Sequence, residues 1–206
     1  AAYLQNISSI HNIREEYDDA LEMSKLAYEI RKRLLEKNHP DVAKSAQKLG
    51  DIYLNKGMYT ESYEYSKEAF EIRQNSFPEN SPEIAESLNI IGLIYELQDD
   101  HEAGFNYLNK AFEIRKKTLL PDNKCIGDSL INLGLNHVNQ GKYKEAVGYY
   151  KDAVEIYKKS LPLNHPNLIM TLNNIGTVYE LLSKPKEALK YKNEALEKFE
   201  LMPTVK

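Results

Sequence analysis

Cysteine occurs once, as Cys125, so the chain forms no internal disulfide and no multi-thiolate metal site. A reducing compartment, the cytoplasm, is the expected setting. Glycine and proline are scarce, nine and eight residues among 206, and β-branched runs are few. No apolar run approaches the ~18–20 residues that a membrane helix needs, and Ala1 opens no basic-then-apolar leader. An excess of positive charge is also lacking. Lys and Arg number 27 against 31 Asp and Glu, a net charge of −4, which argues against nucleic acid or an anionic membrane as partner. The remainder, 42% hydrophobic and 28% charged, is too apolar for wholesale disorder. A helix-rich globular protein is expected.

What the sequence has in abundance is repetition. Tyr65, Tyr107, Tyr149 and Tyr191 lie 42 residues apart. Ala27, Ala69, Ala111, Ala153 and Ala195 keep the interval, as do Glu29, Glu71, Glu113, Glu155 and Glu197. Gly50, Gly92, Gly134 and Gly176 keep it too, with Ser8 in the first copy. Units of 39–80, 81–122, 123–164 and 165–206 are ungapped, and 1–38 forms a unit lacking its first four positions. The expectation is a single array over 1–206, with no residue left for a linker or second domain.

Each unit reads as two helices. Ile84, Leu88, Ile91 and Tyr95 lie on one helical face. Pro40, Pro82 and Pro166 follow His39, Ser81 and His165 and suit the first helical position. Gly57 and Gly141 mark the bend, where a left-handed residue is needed. The second helix carries Tyr65, Ala69 and Ile72 on one face and ends near Pro78, Pro121, Pro162 or Pro203. The sequence predicts ten helices in five antiparallel pairs.

No chemistry emerges. The five histidines occupy repeat positions that hold Tyr elsewhere or that start a unit, so they are assigned to packing or capping. Neither a His-Glu-x-x-His motif nor a glycine-rich phosphate loop is present. Cys125, near a helix start, has no counterpart in other units and is read as an ordinary thiol. Arg31, Arg73 and Arg115 recur at one position; an oxyanion ladder competes with inter-repeat salt bridging, and the latter is expected. The tyrosine column is read as core, each ring buried with its hydroxyl toward water. No enzyme, cofactor or metal is expected.

The order Leu172, Ile175, Gly176, Tyr179, Ala188, Tyr191, Ala195 resembles the tetratricopeptide repeat. The usual unit has 34 residues, so eight extra lengthen the second helix and its exit loop. His39-Pro40-Asp41-Val42-Ala43, Leu172-Asn173-Asn174-Ile175-Gly176 and Glu113-Ile114-Arg115 resemble the kinesin light chain subclass. The resemblance covers the whole chain. It implies an all-α, right-handed α-solenoid of five helix pairs, whose concave groove, lined by first helices, grips an extended or helical peptide.

At 3.6 residues per turn, a stripe offset by roughly 100–120° from the buried face falls on the positions that resembling repeats turn toward that groove. It comprises Ala2, Gln5, Ser9 and Asn12; Lys44, Gln47, Asp51 and Leu54; Glu86, Asn89, Leu93 and Glu96; Asp128, Ile131, Leu135 and Val138; and Met170, Asn173, Thr177 and Glu180. Gln5, Gln47, Asn89 and Asn173 form an amide ladder suited to a peptide backbone. Ile131 interrupts it, within an apolar patch completed by Leu93, Leu135 and Val138, and acidic residues outnumber Lys44. The Lys, Arg and Asn with which such repeats clamp a C-terminal carboxylate are missing from Gln47, Asp51, Asn89, Leu93, Ile131 and Leu135.

Two functions are therefore expected to compete. The first is a non-enzymatic scaffold binding a peptide with an apolar anchor and flanking basic residues. The second is a regulatory or oligomerising array belonging to a larger, enzyme-bearing protein. Leu4, Ile7 and Ile10, and Leu196, Phe199 and Leu201, are expected to lie uncovered and to promote self-association.

Overall fold

The computed structural model describes residues 1–201; Pro203, the expected terminator of the last helix, lies outside the described residues. Among these, regular structure is helical throughout: α1 (Ala2–Ile13), α2 (Tyr17–Leu34), α3 (Pro40–Asn55), α4 (Tyr59–Ser76), α5 (Pro82–Leu97), α6 (His101–Thr118), α7 (Lys124–Asn139), α8 (Tyr143–Ser160), α9 (Pro166–Leu181) and α10 (Pro185–Glu200). Starts at 40, 82, 124 and 166, and at 17, 59, 101, 143 and 185, keep the 42-residue interval.

Local chemistry sets these boundaries. His39 and His165 cap α3 and α9 with Nδ1, which accepts from the backbone N–H of Asp41 and of Asn167, each at 3.1 Å. Ser81 caps α5, and Asn123 caps α7 at 2.9 Å. All four use a side-chain acceptor to satisfy an orphan first-turn amide. Pro40, Pro82 and Pro166 stand where no N–H is needed. Residues 15, 57, 99, 141 and 183 all bend the chain with φ between +57° and +78°. Only Gly57 and Gly141 do so without strain; Glu15, Asp99 and Ser183 carry a Cβ into the left-handed region. Phe77 and Leu161, extended before Pro78 and Pro162, stop α4 and α8.

The chain divides into two compact units, Ala1–Tyr107 and Leu108 onward, with the boundary inside α6. In the first, α1 packs on α2, α2 on α3, α3 on α4 and α4 on α5. Its core holds Leu21, Tyr28, Val42, Leu49, Ile52 and Ile72. In the second, α7, α8, α9 and α10 pack in sequence around Leu130, Tyr150, Val154, Tyr157, Leu168 and Ile175. Neighbour-on-neighbour packing is the mode of a repeat protein.

Small residues set the helix separations. The recurrent alanines, Ala27, Ala69, Ala111, Ala153 and Ala195, are at most 1% exposed. A Cβ on Gly134 would stand 2.4 Å from Tyr150 Cε1, and one on Gly50 would stand 2.5 Å from Ser66 Oγ. The tyrosines are half-buried and stacked. Tyr65 lies on Tyr53, Tyr107 on Tyr95 and Tyr191 on Tyr179, with centroids 5.4–5.6 Å apart. Two substitutions test this account by urea unfolding. Ser183→Gly should raise stability by about 0.5–1 kcal/mol through relief of the left-handed strain. Ala153→Leu should cost about 1–3 kcal/mol by overpacking a helix contact.

Candidate peptide-binding surface

The stripe falls on the first helix of each pair, and its side chains differ sharply in what they offer. In the first unit Gln47 is 3% exposed. Its Nε2 donates to Asp51 Oδ1 at 3.2 Å and to Ser66 Oγ at 3.3 Å. Gln5 is likewise buried, donating to Ser24 Oγ at 3.2 Å and accepting from Arg31 Nη1 at 2.9 Å. Asn89 is half-buried and partnered. Ala2 is exposed, while Ser9 and Asn12 are half-buried. Ser9 Oγ donates to the Gln5 carbonyl and Asn12 Oδ1 accepts from Asn55. Lys44 and Glu86 are exposed, while Leu54 and Leu93 are half-buried.

Glu96 is 8% exposed and its Oε2 lies 3.1 Å from His101 Nδ1. Room for that carboxylate comes from Gly104, where a Cβ would fall 2.3 Å from Glu96 Oε1. The equivalent residues of other repeats are Ala20, Ser62, Ala146 and Ala188. Asp51 is half-buried, and burial pushes its carboxyl above the usual 3.8; Glu86 adds to the rise, while Lys48, Gln47 and Arg73 oppose it.

The second unit presents a different surface. Leu135 and Met170 are 44% and 51% exposed. Ile131 and Val138 are half-buried and pack against the core. Asp128 accepts from the Tyr157 hydroxyl at 2.6 Å and pairs with Lys124 at 3.2 Å. Burial and the bond to Asp128 push the Tyr157 phenol far up. Asn173 and Thr177 are exposed, and Glu180 meets Lys192 at 2.6 Å.

Sequence reasoning missed the partners of the buried amides. Ser24 and Ser66 stand opposite Gln5 and Gln47, and the later repeats have Leu108, Tyr150 and Lys192 at that position. A serine paired with a glutamine at fixed offset was the available signal. The arginine column is inter-repeat, but its main acceptors are hydroxyls. Arg31, Arg73 and Arg115 donate to Ser45, Ser87 and Ser129 of the following repeat at 2.5, 2.6 and 2.7 Å. Arg73 adds a carboxylate contact, Glu86 at 3.0 Å.

The remaining histidines also have structural partners. His11 Nδ1 lies 2.6 Å from Glu16 Oε2, and His137 Nδ1 lies 2.9 Å from the Leu133 carbonyl with its ring against Tyr149. His11, Glu16 and Asp19 bring three ligand-type atoms within 4.8 Å at an exposed turn, with His11 Nδ1 already engaged by Glu16.

Asp51 yields a pH prediction. A carboxyl raised in the fold favours folding when protonated, and that contribution is lost as pH rises from 3.8 through the raised value. Asp51→Asn should therefore melt higher than the parent at pH 7 and approach it at pH 4. Thermal unfolding at the two pH values checks the sign.

A comparison with curated proteins found no match. Among solved structures, nearly identical TPR-like repeats named for kinesin light chain, from Podosopora anserina, align with a TM-score of 0.82 at 18% identity, covering 96% of this chain and 93% of that one. Aspartyl phosphate phosphatase F from Bacillus subtilis aligns with a TM-score of 0.84 at 19% identity, over 96% of this chain but 50% of its own. A Rap protein complexed with competence and sporulation factor gives 0.77 at 18%, over 97% and 54%. At these identities the likeness is one of fold. The family model for the tetratricopeptide repeat matches residues 1–75, 45–117, 83–159 and 126–200. With the 42-residue ruler, the paired helices and the small-residue contacts already in place, the chain belongs to the tetratricopeptide repeat family.

Proposed function

We propose that this tetratricopeptide scaffold is non-enzymatic and binds a peptide segment of another protein along the stripe of its first helices. The observation that carries the reading is the exposure of Leu135 and Met170 on that stripe, which also carries Asp128 and Glu180. An exposed apolar group rimmed by polar ones is the usual mark of an interaction site. The preferred ligand presents an apolar anchor to Leu135, Ile131 and Val138, with basic residues beside it. Asn173 and Thr177 offer donors and acceptors to its backbone. The Rap complex supports the reading, because a protein of this fold is named there in complex with competence and sporulation factor. The structural partners of the histidines support a non-catalytic role. The negative charge and the lone Cys125 favour a protein partner in the cytoplasm over nucleic acid. No helix among the described residues is long and apolar enough to cross a membrane.

Selection from a random-peptide library should enrich an apolar residue flanked by Lys or Arg. Leu135→Asp should weaken the selected peptides more than tenfold, about 1.4 kcal/mol, because it sets a charge where the anchor is desolvated. Asn173→Ala should cost less, about 0.5–1.5 kcal/mol. Enrichment of acidic peptides, or equal binding by the Leu135→Asp protein, would place the ligand elsewhere.

A second reading, an oligomerising or regulatory array within a larger protein, is favoured by α10. Leu196 and Phe199 are 55% and 58% exposed, whereas Val154 and Tyr157, at the same repeat positions, are 4% and 1% exposed. Ile10 is 52% exposed, and Ile52 is 2%. Sedimentation of the 206-residue chain should show association that Phe199→Glu abolishes; a concentration-independent monomer removes this reading.

A further inference from the structure

The first unit contains the same polar junction twice, and the two copies differ. At the first, Arg31 on α2 donates from Nη1 to Gln5 Oε1 at 2.9 Å and to Ser45 Oγ at 2.5 Å. At the second, 42 residues on, Gln47 Nε2 donates to Asp51 and Ser66. Arg73 donates from Nη1 to Ser87 Oγ at 2.6 Å, but its Nη2 lies 3.0 Å from Glu86 Oε2. Gln47 Oε1 is left buried without a donor.

Two positions separate the junctions: Ser9 of the first is replaced in the second by Asp51, which takes the Gln47 amide nitrogen. The first junction also has Lys44 where the second has Glu86. With Lys44 in place of a carboxylate, Arg31 bonds the amide. A glutamate attracts the guanidinium, and Arg73 turns away. The outcome is a buried acceptor that pays desolvation with no bond in return. Beside it sits Asp51, which feels the charges of both Glu86 and Arg73.

We propose that Glu86 and Asp51 form a receptor for a cationic side chain, arginine or lysine, of the bound partner, and that Arg73 is its internal competitor. A cation that takes Glu86 releases Arg73 to Gln47 Oε1, the bond that Arg31 makes to Gln5 at the first junction. The exchange is favourable for a physical reason. The Glu86 side chain is 55% exposed, so an entering cation reaches it, and the buried Arg73 keeps the charge of Asp51 beside it when Glu86 is taken. Arg73, 6% exposed, then gains a charge-assisted bond to an acceptor that lacked one. The proposal deepens the peptide-binding reading and rests on it, but uses residues of the first unit alone.

The test is side-chain NMR of the full chain titrated with Nα-acetylarginine methylamide, against its uncharged citrulline analogue. The arginine compound should shift the Gln47 Nε2 and Arg73 Nε signals together and saturably. The citrulline analogue should bind about fivefold more weakly or less. Glu86→Lys should free Arg73 toward Gln47 Oε1, moving the Gln47 signal without any probe and weakening the arginine response about fivefold, with the Gln5 signal unchanged. Should that protein fail to fold, Glu86→Gln is expected to show the same loss of response. Equal binding of citrulline overturns the proposal, as does a Gln47 signal that stays still while the probe binds, or a variant that binds the probe as the parent does. Peptide selection that fails while the arginine probe still moves Gln47 would sink the wider reading and leave this receptor standing.

Discussion

The close approach of the two helices in each pair is the constraint on which the other features depend. It is set by a missing Cβ. On α3, α7 and α9, Gly50, Gly134 and Gly176 face Ser66, Tyr150 and Lys192, and a Cβ would lie 2.4–2.7 Å from each partner. The opposing residue changes in size and polarity, so the vacancy rather than any particular pairing holds the geometry. In the first pair Ser8 stands in the glycine column and stays close by bonding instead, donating to the Ala20 carbonyl at 2.8 Å. Ser62 makes the mirror bond to the Gly50 carbonyl, also at 2.8 Å. With the helices this close, alanine is the residue that fits the neighbouring contact, as Ala27, Ala69 and Ala153 show at 0% exposure.

That closeness has a polar consequence in the first unit. Serine at the position after the tyrosine column brings Ser24 and Ser66 within reach of Gln5 and Gln47, and draws both amides inward. In the second unit Tyr150 occupies the same position and fills the space with a ring. The stripe above it is apolar, with Ile131 and Val138 resting on the core and Leu135 exposed. One repeat position thus decides whether a stripe is knitted into the interior or left exposed.

Buried polar groups specify arrangement at a cost in stability. Asp51 is buried at a cost that pushes its carboxyl up, and Glu96 is accommodated by the missing side chain at Gly104. Groups held against their own solvation preference are more economical at a site than in a scaffold, since ligand binding recovers what folding forfeits.

Periodicity alone determined the ten helices, their pairing and the identity of the small-residue contacts, because a 42-residue recurrence and a 3.6-residue face are both properties of local sequence. Helix starts were legible in His39, Ser81 and His165, and bends in Gly57 and Gly141. The same position bends at Glu15, Asp99 and Ser183, where nothing in the residue type announces a positive φ and the neighbouring helices impose it. The division into two units was not visible, since one ruler runs through both. The stripe was legible as a set of positions, but the exposure of each member was not. Gln47 and Asn173 occupy one column, yet the first is buried and the second exposed. What separates them is the residue across the pair, Ser66 or Lys192. Such choices are made between side chains 14 to 40 residues apart in sequence, and only packing brings them within hydrogen-bond distance.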